Sequence, residues 1–449
     1  MRKIMSVSYG LIVICVFLSG CSDDGDKSDD AFDNGWYDGG MSDAASDSDS
    51  DMDTDSDSDG DAGSDGGQTD RKFDAVDILI MLDNSSSMGE EQAILATQFF
   101  NLINALINPV SDDICEAADN VRIGMVSSDM GLQYGDNGNL PGSKYQDMFS
   151  CGGRGDNGKF QTYDSSATID IQPGAVRCKE DAAQCPTGWT CENMDNMGIG
   201  TCEPAQGDGK DQACPSITGS YLETESGEQN PLVSFQVSCM ANLGIEGCGF
   251  EQQLKAVDVG LTSNGSFIRD DALLAVIVIS DEEDCSIMVE DLFDEDELND
   301  VSRPNHVNVA CGRHEDHLYG ADHYRDAFIA AKDGDSDAVV FAALVGVPIS
   351  EDCEGRGNEI VNCLDHEKMQ NVEVLEQNSQ GVDNYVFAPA CERFDSNNDL
   401  VTKARPGRRY VALARRFGER GFVSSICNED WESIMLEIAR LINCAIALE

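Results

Sequence analysis

Val76-Asp77-Ile78-Leu79-Ile80-Met81-Leu82 runs directly into Asp83-Asn84-Ser85-Ser86-Ser87. The first seven residues are almost wholly apolar, the pattern of a strand covered on both faces. Asp83, Ser85 and Ser87 then alternate in a D-x-S-x-S loop, and residues 89–107 carry helical spacing, with Ile94, Leu95, Phe99, Leu102, Ile103 and Leu106 on one side. Strand, oxygen-rich loop and helix in that order put hard donors outside the carboxyl end of a strand, where an open α/β sheet binds its ligands.

Further strands are predicted outward from this one. Val121–Val126 is the second, and Ala272-Leu273-Leu274-Ala275-Val276-Ile277-Val278-Ile279 is the third and most hydrophobic. Ala338–Val345 and Gly421–Ile426 follow, and an amphipathic helix from about Glu429 to Ile446 closes the chain. Strands alternating with helices predict an α/β fold with a Rossmann-like, doubly wound, mostly parallel sheet. The third strand ends in Ser280-Asp281, so two buried neighbouring strands would each end in a carboxylate. Asp83 and Asp281 can then converge, and a shared cation would remove their mutual repulsion. One carboxylate and two hydroxyls at alternate positions suit a hard ion: Mg²⁺ is the default, with Ca²⁺ or Mn²⁺ open.

The apolar strand, the D-x-S-x-S loop, the helix and a later strand ending in Asp resemble the metal-ion-dependent adhesion site of von Willebrand factor A domains. The resemblance runs from about residue 74 to 447, insertions excluded. It implies ligand capture, with the metal keeping a coordination position open for an acidic group of the partner. By position Asp83, Ser85 and Ser87 match the first loop of that site and Asp281 the last. The middle loop departs from the family. Where a threonine is expected before the third helix, this chain has Glu251, within Gly247-Cys248-Gly249-Phe250-Glu251. Glu251 is either a further metal ligand, which lowers the site's appetite for an acidic partner, or a helix N-terminal acid favoured by the macrodipole.

The N-terminus reads as an export signal over residues 1–20: Arg2 and Lys3 precede the short apolar run Leu11–Leu18. Leu18-Ser19-Gly20-Cys21 resembles the lipobox of bacterial lipoproteins, which implies lipidation of Cys21 as the membrane anchor. Ser22 after it resembles the outer-membrane sorting pattern. Residues 21–70 form an Asp/Ser-rich linker; positions 22–70 hold 18 Asp against one Lys. So few apolar groups cannot offset the entropy of ordering, so the segment is expected to be a disordered spacer. A flexible coil of that length averages about 35–42 Å end to end before self-repulsion extends it. The whole chain carries a net charge of −55, of which −40 falls on residues 71–449. That charge excludes nucleic acid as a partner and suits cations or basic groups.

The folded part, 71–449, is expected to be a single von Willebrand factor A-like domain interrupted twice. A Cys-rich insertion covers about 132–238, with Cys178, Cys185, Cys191 and Cys202 forming a small knot; an acidic loop covers about 282–316 and is expected over one sheet edge. Of 18 cysteines, 16 remain beyond Cys21. An even set in an exported chain points to disulfides, in pairings the spacing does not give. His306, His314, His317 and His323 fall close together. They are either a zinc site or, without an H-E-x-x-H pattern, a polar loop and helix start. Arg154-Gly155-Asp156 is a chance tripeptide, and the basic run Lys403–Arg409 is expected to pair with neighbouring acids. Neither a nucleophile elbow nor a phosphate or dinucleotide loop is present. The expectation is a lipid-anchored envelope binding or adhesion protein, not an enzyme, that captures a protein or polymer ligand through its metal. The alternatives are a metal-dependent extracellular hydrolase and an envelope component whose metal only braces the fold.

Overall fold

The computed structural model describes residues 72–447, apart from the internal segments 108–114, 116, 143–150, 152, 164–166, 171–176, 180–184, 186–188, 195–198, 205–210, 226–230, 295–306, 378–380 and 382. The export signal, Cys21, the acidic linker and His306 lie outside the described residues.

The main sheet is built from β1 (Ala75–Leu82), β2 (Asn120–Ser127), β3 (Leu222–Glu225), β4 (Ala272–Ile279), β5 (Val339–Val345), β6 (Gly355–Arg356) and β7 (Gly421–Ser425). Its order is β3-β2-β1-β4-β5-β7-β6. The five long strands pair in parallel, and only the short edges β3 and β6 run antiparallel. The fold is therefore a mixed α/β structure on a mostly parallel seven-stranded sheet. Every residue of β1, β4 and β5 is buried, as continuous apolar strands require.

Side chains alternate across the sheet, so each strand feeds two cores. Val76, Ile78, Ile80 and Leu82 face one core, together with α1 (Gly89–Ile107), α2 (Pro231–Met240) and α6 (Trp431–Ile446). Leu79 and Met81 face the other, with α3 (Gln253–Ser263), α4 (Ala321–Ala330) and α5 (Arg408–Phe417). The first helix begins with Glu90 and Glu91, and the last is capped by Asp430, whose carboxylate accepts from the Ser433 amide.

Eight disulfides join all 16 cysteines from Cys115 to Cys444. Cys178–Cys191 and Cys185–Cys202 interleave within the three-stranded sheet of Arg177–Lys179, Ile199–Pro204 and Trp189–Glu192. Cys214–Cys239 ties this module to α2. The stretch 132–238 is thus not wholly outside the frame, because β3 and α2 both belong to the main sheet and its helical cover. The acidic stretch after β4 is described for residues 282–294 and 307–316. Ile287, Leu292 and Phe293 pack with Leu132 and Phe250 into a separate small core, and Cys285–Cys311 closes it. These residues follow the carboxyl ends of central strands, so the small core sits beside the loops that matter for function.

Candidate functional site

Register decides what meets at the carboxyl edge. Leu82 pairs with Ser127 on one side and with Ile279 on the other. The three strands therefore end flush, and the next residue of each, Ser128, Asp83 and Ser280, forms one row across β2, β1 and β4. The ladder carries on into this row, with the Asp83 amide donating to the Ile279 carbonyl at 3.0 Å. Ser128 Oγ donates to Asp83 Oδ1 at 3.0 Å, and Ser280 Oγ donates to Asp83 Oδ2 at 2.6 Å. Asp83 Oδ1 also accepts from the Ser85 amide at 2.8 Å, which folds the D-x-S-x-S loop back over the strand end. Both hydroxyls of that loop face the neighbouring strand: Ser85 Oγ lies 3.0 Å from Ser87 Oγ, and Ser87 Oγ donates to Asp281 Oδ1 at 3.1 Å.

Glu251 enters from the loop that precedes α3. Gln253 Nε2 donates to Glu251 Oε2 at 2.9 Å and to Ser280 Oγ at 3.0 Å, and lies 3.5 Å from Asp83 Oδ2. Gln253 Nε2 therefore links the Glu251 and Asp83 carboxylates. Asp83, Ser85, Ser87, Asp281 and Glu251 are thus brought into one cluster. Ser128, Ser280, Gln253 and Glu282 join it without having stood out in the sequence. The signal that could have revealed the two serines is positional: each stands one residue past a strand that ends level with β1.

The run Asp281-Glu282-Glu283-Asp284 divides its work. Asp281 and Glu282 face the cluster. Glu283 accepts from the Arg409 amide at 3.1 Å in the first turn of α5, and Asp284 accepts from the Leu254 amide at 2.9 Å and from Arg409 Nε at 2.9 Å. Two of the four acids therefore hold helix starts against the site and leave the other two to shape it.

The electrostatics follow from that arrangement. Burial, then the charge of Asp83, then that of Glu282 push the Glu251 carboxyl well above the usual carboxylate range. Burial and the same two charges push Asp281 in the same direction, against the opposing hydrogen bond from Ser87. Glu282 is raised by burial and by Asp83, while Arg405 and Lys403 partly offset this. Both of those cations are engaged elsewhere, with Lys403 Nζ 2.6 Å and Arg405 Nη2 3.0 Å from Glu376. Among the described residues no lysine or arginine pairs with Asp83, Glu251 or Asp281. Gln253 is fully buried, and its Oε1 has no hydrogen-bond partner among them.

This donor set fits a hard divalent cation. It offers carboxylates, hydroxyls and an unsatisfied amide oxygen, and it lacks a counter-charge. Asp83, Ser85, Ser87, Asp281 and Glu251 are the residues that could hold the ion, with Glu282 and Gln253 at the margin. A cleft open to solvent adjoins the cluster between Phe250, Glu251, Glu282, Phe387 and Arg405.

Gly247 keeps the loop in place. Its amide donates to the Asn84 carbonyl at 3.0 Å, and a Cβ there would lie 2.2 Å from Asn84 Oδ1 and 2.8 Å from the Asn84 carbonyl oxygen. Gly247→Ala must displace the D-x-S-x-S backbone. It is expected to weaken cation binding about tenfold or more with the fold retained, as read by cation titration of the melting midpoint.

Among the described residues, His314, His317 and His323 do not gather at one point. His314 and His317 stack on each other at 5.4 Å, whereas His323 stacks on Tyr319 at 4.3 Å. Among the described residues, three or more His, Cys, Asp or Glu ligand atoms come within 4.8 Å of one another only at Cys178, Cys185 and Cys202, which are disulfide-bonded. Arg154 donates to Gln133 Oε1 and Asp156 accepts from Ser127 Oγ, so both ends of the Arg-Gly-Asp tripeptide are used internally. The basic run pairs with neighbouring acids as expected, through Glu376 and Asp284.

No family model matches the chain, and no curated protein matches it. Among solved structures, the chain is similar in part to the human COPII-coat protein Sec24c, at 10% identity and a TM-score of 0.26, over 62% of this chain and 27% of that one. It is also similar to the pilus adhesin RrgA from Streptococcus pneumoniae, at 13% identity and a TM-score of 0.20, over 49% of this chain and 22% of that one. A third is the adhesive tip pilin GBS104 from Group B Streptococcus agalactiae, at 12% identity and a TM-score of 0.19, over 49% and 31%. The chain spans less than a third of the length of each.

Proposed function

We propose that residues 71–449 are a von Willebrand factor A-like domain with a doubly wound sheet. Its divalent-metal site, at Asp83, Ser85, Ser87 and Asp281, captures a protein or polymer ligand at the cell envelope, to which the chain is tethered by lipid on Cys21. The observation that carries this is the meeting of Asp83 and Asp281 at the flush carboxyl ends of adjacent parallel strands, bridged by Ser87. The strand order supports it. Read from β3, the sheet runs 3-2-1-4-5, so the order reverses between β1 and β4, and ligands of doubly wound sheets bind at that switch point. When bound, the ion supplies a fixed positive centre that an oxygen of the partner can join. The protein's own part is to align the hydroxyls of Ser85 and Ser87 and to hold Asp83 through Ser128 and Ser280.

The test is metal analysis and ligand capture by full-length wild type beside Asp83→Ala, with and without EDTA. Wild type is expected to hold about one divalent ion more per chain than the variant and to lose its ligand on chelation. Equal metal content in the two proteins would sink the site assignment. Metal-dependent melting without metal-dependent capture would instead leave the ion as a brace for the fold.

A further inference from the structure

The folded unit has two poles, and different parts of the chain are fixed at each. At the carboxyl pole stand Asp83, Ser128 and Ser280, in the row described above. At the amino pole the chain enters β1. The amides of Lys72 and Phe73 donate to the Ile446 carbonyl at 2.9 and 3.3 Å, and Lys72 Nζ lies 3.1 Å from Asp337, just before β5. The end of the last helix is sewn to the same place. Cys444 of α6 is disulfide-bonded to Cys115, which precedes β2, and the buried Asn443 donates through Nδ2 to the Leu106 carbonyl at 3.2 Å, at the end of α1. The entry point and Asp83 are thus the two ends of one strand, about 26 Å from Ala75 to Asp83 at about 3.3 Å per residue.

That placement fixes how a pull is shared. On the reading above, the tether lies on the amino-terminal side of Lys72, and the partner is held at Asp83 and Asp281. Tension between them runs along β1, which has almost no slack, because a chain reaches at most about 3.3–3.6 Å per residue. Tension taken up by Asp281 returns to β1 through the β4 ladder. All eight residues of β1 pair in parallel with both β2 and β4. A pull on the amino end of β1 against the carboxyl end of β4 acts along the strands, so the rungs between them must yield together. A pull that parts two amino ends opens the ladder one pair at a time. We propose that the domain is a load-bearing holder, in which β1 carries tension from tether to site and the site keeps its shape while the captured partner pulls.

The test is single-molecule pulling of the full chain with its disulfides intact, held by its amino-terminal segment. The second handle is placed either at the carboxyl terminus or on an azide-bearing residue at position 288, which adds no free thiol. Met288 is 39% exposed and lies just past Cys285, so this handle draws on the carboxyl end of β4. An unchanged melting midpoint shows that the labelled protein is folded. Through the carboxyl-terminal handle, Cys115–Cys444 routes the pull to Cys115 and parts the amino ends of β1 and β2. The first step then frees only the stretch from Lys72 to Cys115, about 140–155 Å of chain at about 3.3–3.6 Å per residue. The unfolding force is expected to be about twofold or more higher through position 288 at the same pulling speed, because rungs loaded together replace rungs loaded singly. An equal or lower force overturns the proposal. A first step through the carboxyl-terminal handle longer than that stretch overturns it as well, since the last helix would not then be fixed at the amino pole. The handles stand in for partner and ion, so a failure of the metal site in Asp83→Ala would leave this measurement standing.

Discussion

Arg269→Met is expected to lower the unfolding free energy by about 3–5 kcal/mol, the cost of leaving a buried carboxylate without its ion-pair partner. Asp77 is the one charged residue of β1 and is fully buried. Arg269, in the loop entering β4, places Nε 2.8 Å and Nη2 2.7 Å from Asp77 Oδ1, and its amide donates to Asp77 Oδ2 at 2.6 Å. Its guanidinium also reaches the Val76 carbonyl at 3.0 Å and the side chain of Asn120 at the start of β2. One side chain therefore pins the amino ends of β1, β2 and β4 in register. That register puts Ser128, Asp83 and Ser280 in one row, about 20 Å from Asp77 along β1 at about 3.3 Å per residue. A slip of one residue would turn each of these side chains to the opposite face. Urea unfolding without reductant measures the effect. Asp77→Asn combined with Arg269→Met should recover part of the loss, because no charge is then stranded. A loss below about 1 kcal/mol in the single variant would show that the pair holds nothing.

Much of this could be read from the chain before its structure. Largely apolar runs marked β1, β2, β4, β5 and β7, and D-x-S-x-S, which alone could be an Asx turn capping a helix, marked the loop through the strand before it and the second Asp-ended strand. Asp281 was legible for the same reason. Glu251 was legible only through a resemblance, and its link to Asp83 through Gln253 was not. The serines at 128 and 280 were hidden because a hydroxyl at a strand end carries no periodicity; only register gives it a partner. The edge β3 and helix α2 were hidden by composition. The Cys-rich module before them depends on Cys178–Cys191 and Cys185–Cys202 more than on apolar surface, and that obscured where the frame resumes. Asp77 looked like a flaw in an apolar strand until Arg269, 192 residues away, came beside it. Contacts at that separation leave no local trace.

The acidic cluster itself makes stability depend on pH in opposite senses with and without the ion. Without a cation, burial and neighbouring charge hold Glu251, Asp281 and Glu282 above their ordinary values. For a carboxyl raised on folding, the folded state binds more protons than the unfolded one, so the stability it contributes is present at low pH and is lost as pH rises through the folded value. The metal-stripped protein should therefore melt several degrees lower near pH 8 than near pH 5. A divalent ion bound there as proposed would hold the same groups ionised, and protons would compete with it, so stabilisation by the metal should grow over that interval. The two melting curves should diverge as pH rises. The rest of this acidic chain also repels itself more strongly at high pH, so the slope alone proves little. Glu251→Gln separates the causes: it removes one buried titrating group and should flatten the metal-free slope while leaving the surface charge almost untouched. If Glu251→Gln kept the wild-type slope, or if the curves with and without a saturating divalent ion ran parallel, the pH response would belong to the surface and the buried acids would have no part in it.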